Sequence, residues 1–210
     1  MSFLHQLKQQ AQTLQSQQTA QVQDFSASTA ATEAACQRLW HYLDDLHRQL
    51  NVIEPAAPPL SLDGKAHWPA MKQTGFRFDA RKKMLRDQEV FDYLALGWQL
   101  LPCEAGAGKG QVKVNFPPDL ERVERRLRVG HVPHERQEQR HPQTSGLLAI
   151  VFEHDMAARA SVVDLGVLRF RLAGVNGLET VHTEYRTGQI GPAVLDELAK
   201  LIVGQDSRFL

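Results

Sequence analysis

The first 54 residues contain neither glycine nor proline, and an apolar stripe runs through them at alternating three- and four-residue steps. Its members are Leu4, Leu7, Ala11, Leu14, Gln18, Val22, Phe25, Thr29, Thr32, Cys36, Leu39, Leu43, Leu46, Leu50 and Ile53. Such spacing holds one face of a helix in a constant direction along its whole length. A helix of this kind cannot bury its stripe within its own segment. It must fold back on itself, lie along the rest of the chain, or pair with another chain.

The stripe is uneven. It is apolar to Leu14, weak at Gln18, diluted by Thr29 and Thr32, and strong from Cys36 to Ile53. The successive four-residue steps Leu14–Gln18–Val22 form a stutter, which locally unwinds a left-handed supercoil. Glutamines flank the stripe, so it lacks the Glu/Lys code that fixes partner and register. Two geometries fit: one helix of about 75 Å, or a helical hairpin broken at Ser26–Thr29, where hydroxyls cap a second helix. Either is coiled-coil-like. The strongest part of the stripe, Leu39, Leu43, Leu46 and Leu50, is the predicted partner interface, taking a second copy of the chain or another protein. Each fully buried leucine there contributes roughly 1.5–3 kcal/mol.

Pro55, Pro58 and Pro59 end the helix, and residues 55–64 read as an extended linker. From residue 65 to 210 the period changes to that of strands. Phe76 and Phe78 alternate with Arg77 and Asp79. Residues 90–101 are apolar on both faces, as in a central strand covered on both sides. Val112, Val114 and Phe116 alternate with polar residues, 132–140 read as an edge strand, and 147–152 as a second buried strand. Leu168, Phe170 and Leu172 alternate with arginines, and Asn176-Gly177 marks a turn before a strand at 180–185. Two helices punctuate these strands. One begins at Pro117-Pro118-Asp119 with the stripe Leu120, Val123, Leu127 and a wet side holding Glu121 and Glu124. The other begins at Pro192 and ends at Gly204. The expected architecture is α+β: an N-terminal helical segment over 1–54, a Pro-rich linker over 55–64, and a mostly antiparallel sheet domain over 65–210 with packed helices.

Lysine plus arginine balance aspartate plus glutamate at 24 each, so net charge supplies no pull toward nucleic acid or anionic membrane. No stretch approaches the ~20 apolar residues of a membrane span. The glutamine-rich start lacks the apolar core of a signal peptide, and two scattered cysteines suit a reducing compartment. The expectation is a soluble, cytoplasmic protein.

The motifs that carry chemistry are thin. Gly106-Ala107-Gly108-Lys109-Gly110 lacks the spacing and the hydroxyl of a phosphate loop and reads as a hairpin connection between strands. His131, His134 and His141 lack a carboxylate or thiol at zinc spacing. Glu153-His154-Asp155 reads as a solvated strand end, and no nucleophile elbow is present. The sequence therefore names no catalytic residue, metal ligand or cofactor. Arg77, Arg81, Lys82, Lys83 and Arg86 form the densest basic cluster, interleaved with Phe76 and Phe78. The expected function is that of an interaction or assembly protein. A nucleic-acid binder using the cluster at 77–86 is the first alternative, and an enzyme of unknown class the second.

Overall fold

The computed structural model describes residues 3–62, 66–104, 106–107, 109–114, 116–141, 144–153, 156–164, 167–175 and 177–210. The molecule is α+β, with helices packed on antiparallel sheets.

Helix α1 spans Phe3–Ile53 and passes through Ser26–Thr29 without a break. It ends where Glu54 turns left-handed (φ 43) before Pro55, which cannot donate the next helical hydrogen bond. Ten strands follow. β1 (Ser61–Leu62) and β2 (Ala66–His67) make a small ribbon. β3 (Met71–Leu85), β4 (Gln88–Pro102), β8 (Met156–Asp164), β9 (Leu168–Ala173) and β10 (Thr180–Tyr185) form a five-stranded sheet in the order β10-β9-β8-β4-β3. β5 (Lys109–Val114), β6 (His134–His141) and β7 (Thr144–Glu153) form a three-stranded sheet in the order β5-β7-β6. Helix α2 (Pro117–Val129) joins β5 to β6, and α3 (Pro192–Ile202) follows β10 after a short 3-10 turn at Thr187–Gln189.

One face of the five-stranded sheet is the core. Alternation along β9 sends Leu168, Phe170 and Leu172 inward and Arg169 and Arg171 outward. On β4, Leu94, Leu96, Trp98 and Leu100 take the inner positions. The carboxyl half of α1, α3 and the C-terminal tail cover this face. Phe209 of the tail stands edge-on to Phe170 with centroids 5.1 Å apart. Specific bonds fix α1 in place. Asn51 holds both backbone groups of Phe76, at 2.8 Å each. Glu33 accepts from the Phe91 N–H at 3.1 Å, and Tyr42 donates to Asp196 of α3 at 2.8 Å.

Residues 55–60 stay attached to the sheet. Ala57 N–H donates to the Met71 carbonyl and Gln73 N–H to that of Pro55, each at 2.8 Å, so the proline segment lies along the first residues of β3. Leu60 and Leu62 are buried beyond it.

Several expectations need correction. β4 is interior to its sheet, but its outer face is only partly covered: Tyr93 and Gly97 are half-exposed and Gln99 is exposed. The apolar run there includes Ala95, which is buried, and Gly97, which has no side chain to cover. Glu124 is not on the wet side of α2. It is 6 % exposed, because it shares the stripe of Leu120, Val123 and Leu127, and Arg136 of β6 grips it with two guanidinium hydrogen bonds. The glycine-rich segment after β4 is no hairpin, because β4 and β5 belong to different sheets; Ala105 and Gly108 lie outside the described residues. β8 carries no alternation that marked it in advance. Asn176 and the side chains of 147–152 also lie outside what is described.

Candidate functional site

The predicted interface on α1 is occupied by the chain itself. Leu39, Leu43 and Leu50 are 0, 3 and 4 % exposed, and Leu46 packs half-buried against the same cluster. Their neighbours are β3, β4 and α3. A partner helix would have to displace the sheet to reach them, at a cost of several buried side chains worth roughly 1.5–3 kcal/mol each.

The amino half of α1 differs. From Leu7 to Ala31 nearly every described residue is exposed, and the stripe residues Leu7 and Leu14 are 45 and 60 % exposed. Only Lys8 and Asp24 carry charge among the first 28 residues. Where the helix leaves the sheet, an open groove of about 520 Å³ lies between it and the start of β4, lined by Ala30, Glu33, Ala34 and Val90 among others.

The basic cluster is divided by the strand alternation of β3 and by the hairpin that follows. Arg77, Arg81 and Lys83 share the outer face of the sheet. Lys82 points the other way, its ammonium 5.1 Å from the centre of the Phe91 ring. Arg86 lies in the two-residue turn, where both Arg86 (φ 47) and Asp87 (φ 64) are left-handed. That turn matches the right-handed twist of the strands without the usual Asn-Gly pair. Acids from β4 meet the cations across the hairpin: Asp92 lies 2.9 Å from Lys83 and 3.8 Å from Arg81, and Glu89 lies 3.3 Å from Lys82. Residues 77–92 hold five basic and four acidic side chains, a net of one positive charge, so the run of cations in the sequence is not a strongly positive patch in space.

The register of the five-stranded sheet brings other arginines to Arg77. Gly97 of β4 lies between Arg77 of β3 and Arg159 of β8. Arg159 pairs with Ala173 of β9, which places Arg171 diagonally beside it, and Arg171 pairs with His182 of β10. Tyr93 lies in the same face. Its hydroxyl donates to Asp79 at 2.5 Å, and that bond raises its pKa, while Arg159 and Arg81 oppose the shift. Arg169 pairs with Glu184 at 2.5 Å. Sequence reading missed this group, because Arg159 belongs to the unmarked strand β8 and only pairing register puts it beside Arg77.

Among the described residues the histidines do not converge. His131 is exposed in the turn after α2 (φ 53), and His134 is half-buried on β6 with Nδ1 2.9 Å from the Val132 carbonyl. His182 is exposed on β10, and His154 and Asp155 lie outside the described residues. Among the described residues no group of three or more His, Cys, Asp or Glu side chains is placed to hold a metal ion. No helix among them is long and apolar enough to cross a membrane. No family model, curated protein or solved structure matches this chain.

Proposed function

We propose that this is an interaction or assembly protein whose docking element is the outer half of α1, with a second copy or another protein as its partner. The observation that carries this reading is the contrast along one helix. The half after about residue 31 is bonded into the core, whereas the half before it keeps Leu7 and Leu14 exposed. A helix gains most of its stability from packing an apolar face, and among the described residues Leu7 and Leu14 of this half stay exposed. At 1.5 Å per residue it makes an arm of roughly 40 Å, anchored by its continuation across the sheet. Its near-absence of charge suits burial against an apolar surface.

The test uses the full-length chain and its Leu7→Glu/Leu14→Glu variant, compared by light scattering and by capture of partners from native cells. A complex formed by the parent and absent from the variant, with equal melting temperatures, supports the reading. A parent that is monomeric and captures nothing removes it.

A further inference from the structure

The outer face of the five-stranded sheet carries a band of cations drawn from three strands. Arg77, Arg81, Lys83, Arg159, Arg169 and Arg171 stand there with, among the described residues, three carboxylates, Asp79, Asp92 and Glu184. Each carboxylate is engaged: Asp79 by the Tyr93 hydroxyl, Asp92 by Lys83 and Arg81, Glu184 by Arg169. Arg77, Arg159 and Arg171 are exposed and have no carboxylate partner among the described residues. They are the cations of this face that no described carboxylate meets.

Their spacing is set by the sheet. Arg77 and Arg159 stand two strands apart, about 9–10 Å between backbones, across Gly97, which offers no side chain. Arg159 and Arg171 are diagonal neighbours on adjacent strands, about 7–8 Å apart. The floor between them, Gly97 and Ala173, is low, and the half-exposed Tyr93 lies further along β4 on the same face, its hydroxyl reaching Asp79. Arginines over a low floor with an aromatic ring on the same face match a flexible strand of phosphates whose bases are free to lie flat on the protein.

We propose that this sheet face binds single-stranded nucleic acid, with Arg77, Arg159 and Arg171 on successive phosphates and Tyr93 beneath a base. The site is separate from α1 and does not rest on the docking role of that helix. It uses Arg77 of the basic cluster but replaces Arg81, Lys82 and Lys83, which are engaged by Asp92 and Glu89 within the hairpin.

The experiment is fluorescence anisotropy of a labelled oligo(dT) strand titrated with the full-length chain. Three phosphate contacts on a single strand give a log–log salt slope of about −2, so affinity is expected to fall roughly 20-fold between about 50 and 200 mM salt. The Arg77→Gln/Arg159→Gln/Arg171→Gln variant is expected to bind at least tenfold more weakly at an unchanged melting temperature. Arg125→Gln, on the exposed side of α2, is expected to bind like the parent. Should the triple variant misfold, Arg159→Gln alone is expected to reduce the salt slope by about 0.7. Absence of binding at low salt overturns the proposal, as does parental affinity in the triple variant or, should that variant misfold, a parental salt slope in Arg159→Gln. Displacement of the strand by polyglutamate as readily as by unlabelled oligo(dT) assigns the face to an acidic polypeptide instead.

Discussion

Glu124 shows what a single residue decides in this molecule. Its carboxylate is nearly out of contact with water, and the two hydrogen bonds from Arg136 hold its pKa below the ordinary carboxylate value. A carboxyl depressed in the native state stabilises the fold fully above its unfolded pKa, and that contribution disappears as pH falls through the native value. Acid unfolding followed from about pH 5 downward is therefore expected to be steeper for the parent than for Glu124→Gln. Arg136→Ala leaves the buried carboxylate without its donor and is expected to cost about 1–3 kcal/mol near neutral pH, measured by urea unfolding. An Arg136→Ala protein as stable as the parent would mean that the pair is ornamental. Nothing in the local sequence announced this pair. Glu124 occupies a helical position that suits core and surface equally, and its partner lies 12 residues later on another element.

At the scale of the element, α1 does two jobs in series. Thr32, Ala35, Cys36, Leu39 and Leu43 are buried on the sheet, while Leu7 and Leu14 on the same periodic stripe are exposed. Leu43→Ala is expected to cost about 2–5 kcal/mol, as core truncations do. Leu14→Ala is expected to stay within about 0.5 kcal/mol, as exposed changes do. Urea denaturation of the two variants side by side measures the contrast. If both are neutral, the helix does not pack on the sheet. The stripe was legible from residue 4 to residue 53, because period is local information. Where the sheet ends beneath it was not, because that depends on strand length and on bonds from Glu33, Asn51 and Tyr42 to residues that are distant in sequence.

Across the whole molecule, one apolar cluster joins α1, β1, β3, β4, β5, α2, β9, α3 and the tail, from Ala35 through Val114 and Leu127 to Phe209. A shared core predicts shared unfolding. Thermal denaturation followed by near-ultraviolet and by far-ultraviolet circular dichroism is expected to give coincident midpoints for the tertiary signal and for most of the secondary structure. A separate early loss of helical signal confined to a fraction matching the outer half of α1 is compatible with this. Two well-separated tertiary transitions would instead divide the chain at the proline segment into independent domains. The proline residues suggested a spacer by composition. The bonds of Pro55 and Ala57 to β3 make that segment part of the sheet edge instead.

The sequence by itself determined most of the long elements, though not β8. A proline- and glycine-free stripe makes a long helix, alternation makes β3 and β9, and Pro117 and Pro192 open α2 and α3, because each of these signals arises from contacts within a few residues. Tertiary structure alone decided what those elements face. It turned Leu39 to Leu50 inward, left Leu7 and Leu14 exposed, buried Glu124 against Arg136, and brought Arg77, Arg159 and Arg171 onto one face. Such outcomes depend on which strands pair and in what register, and register is a property of the assembled sheet rather than of any one strand.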